Sequence, residues 1–284
     1  MPRPIRVGAV NYLNTKPLIE GLASFAPHAE LHLDLPSRLA DRLAAGDLDV
    51  GLIPVIEYFR AGTYTVVPGV SIASRGPVLS VTLFSRVPWT EIRSVALDVG
   101  SRTSAALARI LLEKRYGVRP QMVSLPIDVA ADDMSTDAVL LIGDRAMKAC
   151  LPGFAHAYDL GQEWFDWTGL PFVYAVWAVR GGVDLRGVDR ALQQARDYGL
   201  AKAGPIAQRE AATLGLDPGF CRRYLSNILC FDLGPKEQAG LARYYTLARD
   251  LGLAPEGGGD LEFYRHSGQR SAVSDRPDHL SAVG

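Results

Sequence analysis

The 284 residues are 48% apolar and 21% charged, a balance that excludes a disordered or low-complexity chain and leaves room for two modest domains. A net charge of -1, with no basic cluster, removes the electrostatic footprint of a nucleic-acid binder. No run of about 18 apolar residues is present to span a bilayer as a helix, so no membrane partner is expected.

The chain begins Met1-Pro2-Arg3-Pro4-Ile5-Arg6 and passes straight into an apolar strand, Ile5–Val10. With no leader pattern ahead of that strand, a cytoplasmic protein is expected. Next, Asn11-Tyr12-Leu13-Asn14-Thr15-Lys16-Pro17-Leu18 places polar side chains in a turn before a helix near Pro17–Phe25. Asn14 or Thr15 is the expected cap, and Pro17 suits the first turn, where a missing N–H is no loss. A strand Glu30–Leu35, a helix Arg38–Ala45 with Ser37 as its cap, and a strand Asp49–Ile53 follow. This alternation is the grammar of a parallel sheet. Ligands of such sheets sit beyond the carboxyl ends of the strands, where helix N-termini present free N–H groups. Asn11, Asn14 and Thr15 are therefore candidate ligand contacts.

The same grammar returns in Ser94–Val99, the helix Thr103–Tyr116, Gln121–Leu125 and Asp137–Ile142. Val7 and Val95, Asp49 and Asp137, and Thr15 and Thr103 are each 88 apart (95 − 7, 137 − 49, 103 − 15). Two similar lobes are expected. Val66–Ala73 and Val78–Ser85 lie between the passes, with Arg86-Val87-Pro88 as one crossing and Pro171–Val179 as the return. The division that follows is 1–86 plus 180–266 for the first lobe and 87–179 for the second. Helical periodicity over Leu185–Ala203, Ile206–Leu214, Pro218–Leu225 and Lys236–Leu251 packs on the first lobe, and 267–284 reads as a disordered tail. The expected fold is α/β, with a cleft between two mixed-sheet lobes that suits a small anion.

Four segments carry candidate chemistry. Ser101-Arg102-Thr103-Ser104 opens the second-lobe helix with three hydroxyls and a guanidinium beside exposed N–H groups, a setting for a carboxylate. Ser74-Arg75-Gly76-Pro77-Val78-Leu79-Ser80 turns at Gly76-Pro77. Ser80 then interrupts an apolar strand, where an unpartnered hydroxyl is costly, so it bonds backbone or faces a ligand. Leu140-Leu141-Ile142-Gly143-Asp144 ends a buried strand at a residue that permits close approach, Gly143. Asp144 is open to three roles: general base, binding group or helix cap. The aromatic, acidic stretch Asp159–Phe172 packs a core with Trp164 and Trp167 or covers the cleft.

Cys150, Cys221 and Cys230 lack metal-type spacing and read as buried thiols, and the five histidines are scattered. A histidine-rich metal site is therefore not expected, and no phosphate loop or dinucleotide fingerprint appears.

Taken together and in order, Asn11 to Leu18, Gly51-Leu52-Ile53-Pro54, Ser74 to Ser80, Ser101 to Ser104, Ile142-Gly143-Asp144 and Thr168-Gly169-Leu170-Pro171-Phe172 resemble the chorismate dehydratases of the futalosine route to menaquinone. The resemblance implies a type 2 periplasmic-binding-protein fold acting as a cofactor-free lyase, with chorismate as the small dicarboxylate substrate. It also implies that Asn14 and a serine of the Ser-x-Gly-Pro region, Ser80 in preference to Ser74, stand at the substrate. The proton-abstracting base is left open between Asp144 and the substrate's own enolpyruvyl carboxylate. A solute receptor serving a transporter is one rival. A second is the sister enzyme 1,4-dihydroxy-6-naphthoate synthase, expected to carry histidine where Gly143 and Asp144 follow the strand here. A ligand-sensing regulatory domain would need a DNA-binding helix pair ahead of Ile5.

Overall fold

A computed structural model describes residues 2–265. Its strands are β1 (Ile5–Val10), β2 (Ala29–Asp34), β3 (Val50–Pro54), β4 (Thr65–Ser74), β5 (Val81–Ser85), β6 (Ser94–Asp98), β7 (Gln121–Leu125), β8 (Ala138–Ile142), β9 (His156–Asp159), β10 (Phe172–Val179) and β11 (Leu229–Cys230). They form two mixed sheets, ordered β11-β4-β10-β3-β1-β2 and β7-β6-β8-β5-β9.

Each sheet has a parallel portion built from one sequence pass: β2-β1-β3 in the first and β7-β6-β8 in the second. The 88-residue correspondence has a structural counterpart. Asp49 accepts the backbone N–H of Arg6 (2.9 Å), and Asp137 accepts that of Ser94 (3.0 Å), the position 88 further on. Val7 pairs with Val50, and Val95 with Ala138, again in the same offset. In both lobes an aspartate-backbone contact, from a buried Asp49 and a half-buried Asp137, sets the entry of the central strand.

The crossings are made by antiparallel strands. Val81–Ser85, which the sequence division leaves in the first lobe, pairs with β8 and β9 in the second sheet. Phe172–Val179, read as closing the second lobe, pairs with β3 and β4 in the first and is buried along its whole length. A run buried on both faces shows no alternation, so sequence pattern alone does not reveal which sheet it joins. Along β6 and β8 successive side chains divide between two apolar clusters: Val95 and Leu140 face the main core, whereas Ala96, Val139 and Leu141 face a smaller one with Leu125 and Phe154.

The helix expected near Pro17–Phe25 is broken into Lys16–Ile19 and Leu22–Phe25 by Gly21 at φ +76°. Neither Asn14 nor Thr15 supplies a side-chain cap to it. The next helix starts at Pro36, so Ser37 lies inside it rather than capping it. Trp164 sits in the helix Leu160–Thr168, fully buried, with its indole N–H donating to the Pro171 carbonyl (3.2 Å). Cys221 is buried, but Cys230 is half-buried and Cys150 exposed, because Cys150 falls just beyond the helix Gly143–Lys148. No helix of the described residues is long and apolar enough to cross a membrane. The tail 267–284 lies outside the described residues.

Candidate active site

Val10, Pro54 and Ile142 are the last residues of β1, β3 and β8, and all three line one cavity between the lobes. About 510 Å³ of it is unfilled by protein atoms, the open solvent at its mouth included. Asn14, Ser80, Ser101, Ser104 and Gly143 line it, joined by Tyr12 and Tyr174, which the sequence did not single out. Among these lining residues no side chain carries a formal charge at neutral pH.

The anion-type end is the N-terminus of the helix Arg102–Ile110. Ser101 is its cap, accepting the Ser104 N–H (3.3 Å) and donating to the Ser104 hydroxyl (2.8 Å). Arg102 does not point into the cavity. Its guanidinium pairs with Asp41 (2.8 Å) and Glu57 (3.3 Å) of the first lobe, so it joins the lobes instead of meeting a ligand. Thr103 is likewise diverted: its hydroxyl accepts the Ile56 N–H (3.3 Å) and its carbonyl accepts the Tyr244 hydroxyl (3.2 Å).

Ser80 is presented by a strained turn. Leu79 before it has φ +62°, a conformation that costs a side-chain-bearing residue roughly 1–3 kcal/mol unless the surroundings enforce it. The enforcement comes from Asp159, whose carboxylate accepts the N–H groups of Val78 (3.0 Å), Leu79 (2.7 Å), Gly161 (2.9 Å) and Gln162 (3.0 Å). One aspartate thus caps the helix Leu160–Thr168 and fixes the turn. Ser80 is buried, its hydroxyl accepts from Tyr224 (2.7 Å), and its carbonyl accepts the Gly143 N–H (2.7 Å). Gly143 itself sits at φ +58° against the Tyr12 ring, which an added Cβ would approach to 2.9 Å.

The remaining candidates lie off the cavity. Asp144 turns toward Leu13, accepting its N–H (3.2 Å), and borders a separate surface hollow with Arg145 and Lys148. Burial is the chief reason its carboxyl is pushed above the usual range. It therefore holds the lobes together and is not at the cavity wall. Asn11 is exposed and accepts from Lys16 (3.1 Å). Thr15 is fully buried and donates to the Asn14 amide oxygen (3.2 Å). Ser74 bonds the Gly76 carbonyl (3.0 Å) and meets the Tyr174 hydroxyl (3.3 Å), supporting the cavity wall from behind; Gly76, at φ +108°, completes that turn.

Asp98 was not marked by the sequence. At the end of β6 it accepts the Gly100 N–H (2.8 Å) and pairs with Arg145 (3.1 Å), and burial above all pushes its carboxyl up. The Tyr12 phenol is pushed well up as well, mainly by burial and then by the charges of Asp98 and Asp144. Tyr174, buried at the cavity wall, is raised for the same leading reason.

The likeness to known proteins agrees with this architecture. A chorismate dehydratase of Thermus thermophilus is 33% identical over 88% of this chain and 96% of its own length. One from Campylobacter jejuni is 26% identical over 87% of this chain and 99% of its own. Among solved structures, the alkanesulfonate-binding protein of Xanthomonas axonopodis pv. citri superposes with a TM-score of 0.65 at 16% identity, covering 90% of this chain and 95% of that one. The shared fold is the two-lobed one of periplasmic binding proteins. The menaquinone biosynthesis family matches residues 5–250, and the chain belongs to that family.

Proposed function

We propose that the chain is a hydro-lyase acting in the cytoplasm, removing water from chorismate to give 3-[(1-carboxyvinyl)oxy]benzoate in the cavity between its lobes. The observation that carries the reading is the meeting of Asn14, Ser80 and the Ser101–Ser104 helix end around one cavity. The names of the two relatives support the choice of substrate.

Chorismate has a ring carboxylate, an enolpyruvyl ether at C3 and a hydroxyl at C4. Its C3 hydrogen is acidified through the diene to the ring carboxylate. As the C3–H bond breaks, its electron pair forms the new ring double bond, the C4–O bond breaks, and the ring becomes aromatic. The helix N-terminus, with the Ser101 and Ser104 hydroxyls, holds the ring carboxylate and stabilises charge flowing into it. Asn14 and Ser80 hydrogen-bond the departing hydroxyl. The lining residues offer no side chain that accepts a proton near neutrality, since burial keeps the Tyr12 and Tyr174 phenols protonated. The base in this reading is the substrate's enolpyruvyl carboxylate, which carries the C3 proton to the leaving oxygen.

The absence of charged lining also suits a second reading, a receptor that holds a small carboxylate unchanged. One assay separates the two: chelator-treated protein is mixed with chorismate, and the diene absorbance and product mass are followed. The dehydratase reading expects loss of the diene and a product lighter by one water. Unchanged chorismate with folded protein overturns it in favour of the receptor.

A further inference from the structure

Tyr224 lies far from every motif that marks the site. It follows the helix Pro218–Arg223, where the chain widens into one π-helical turn, Tyr224–Ile228. Such wide turns are rare and frequent at functional sites. The ring is 1% exposed, and its hydroxyl donates to Ser80 Oγ at 2.7 Å, across 144 residues of chain. The Asn14 side chain reaches the same phenol. Asn14 is itself oriented by Thr15, which donates to its amide oxygen (3.2 Å).

A serine hydroxyl has one proton and two lone pairs. With one lone pair of Ser80 taken by Tyr224, and no described group accepting the Ser80 proton, that proton is free for the cavity that Ser80 lines. We propose that Tyr224 is a positioning residue: by donating to Ser80 it turns the Ser80 proton toward the ligand and makes Ser80 a hydrogen-bond donor to the departing C4 hydroxyl. The assignment rests on the dehydratase reading and deepens it. No proton is transferred by this bond. The C3–H pair enters the ring, the C4–O pair leaves with the hydroxyl, and the C3 proton completes the water. The hydrogen bond from Tyr224 polarises the Ser80 hydroxyl, which strengthens it as a donor.

The test is a double-mutant cycle on chorismate turnover with Tyr224→Phe, Ser80→Ala and the pair, with circular dichroism to show that each is folded. Tyr224→Phe is expected to lower kcat about 10-fold while KM stays within about twofold, the pattern of an interaction strengthened in the transition state. In the Ser80→Ala background the same change should cost less than about twofold, since its effect passes through Ser80. A Tyr224→Phe enzyme with unchanged kcat, or equal losses with and without Ser80, overturns the relay. Placing 3-fluorotyrosine at position 224 gives a second readout that preserves shape: a stronger phenol donor shifts kcat if the relay operates and leaves it unmoved if the ring only packs. Wild-type protein inert toward chorismate refutes the dehydratase reading itself, an outcome distinct from either result.

Discussion

Asp144 and Arg102 show how far a residue's type and spacing reach. Both follow motif positions that line the cavity, Gly143 and Ser101, yet both side chains turn away: Asp144 to the Leu13 amide and Arg102 to Asp41 and Glu57. Sequence could place them at a strand end and a helix start, but not aim them, because aim depends on partners on the opposite lobe. Asn14, Ser80, Ser101 and Ser104 were legible because each is a small polar residue at a strand or helix terminus. Tyr224 was not legible, since nothing local distinguishes it from the apolar face of its helix. The account predicts that Asp144→Asn, which keeps an acceptor for Leu13, leaves kcat on chorismate within about threefold. An obligatory base would instead lose about 10²–10⁴-fold, so steady-state kinetics on the purified variant distinguishes the roles.

The strands and the turns between them set the cavity walls. The parallel strands were readable from their apolar runs and the helices between them, and β1 and β7 match the predicted spans. The short helix Val55–Ala61 was missed because its start, Pro54-Val55-Ile56, continues the apolar run of β3 without punctuation. The β8-to-helix turn at Gly143 is the element most sensitive to a single methyl group. Its positive φ and the nearby Tyr12 ring together predict that Gly143→Ala destabilises the fold by roughly 1–3 kcal/mol and disturbs the wall Tyr12 forms. Chemical denaturation of the variant against wild type measures the first effect, and a titration with the dehydrated product measures the second.

In the molecule as a whole, two sheets are bridged across a cavity whose lining residues carry no charged side chain. Contacts across the cleft include Leu13 to Asp144, Ser37 N–H to the Gly100 carbonyl (3.2 Å), and Arg102 to Asp41 and Glu57. The 88-residue offset anticipated the matched entries of the two sheets, but the antiparallel crossings through β5 and β10 needed three-dimensional pairing to assign. Within the first lobe Asp49 anchors Arg3, Arg6 and Arg180. Burial alone would push its carboxyl up, but the hydrogen bonds from Arg3 and Arg6 outweigh that and hold it well below the usual range. A carboxylate with its folded pKa lowered adds stability above its unfolded value, about 3.9, and loses it as pH falls further. Asp49→Asn should therefore lower the melting temperature at pH 7, with the gap from wild type narrowing as the pH drops below about 4. Melting curves of both proteins across that range check the sign, and the difference between them removes the opposing contributions of Asp98 and Asp144.

The most direct measurement of the central claim is a crystal structure with 3-[(1-carboxyvinyl)oxy]benzoate bound. The account predicts the ring carboxylate at the N-terminus of the helix Arg102–Ile110, with the ether side of the ring toward Asn14 and Ser80. Product seated outside the interlobe cavity, or carboxylates held by lysine and arginine side chains, would contradict it.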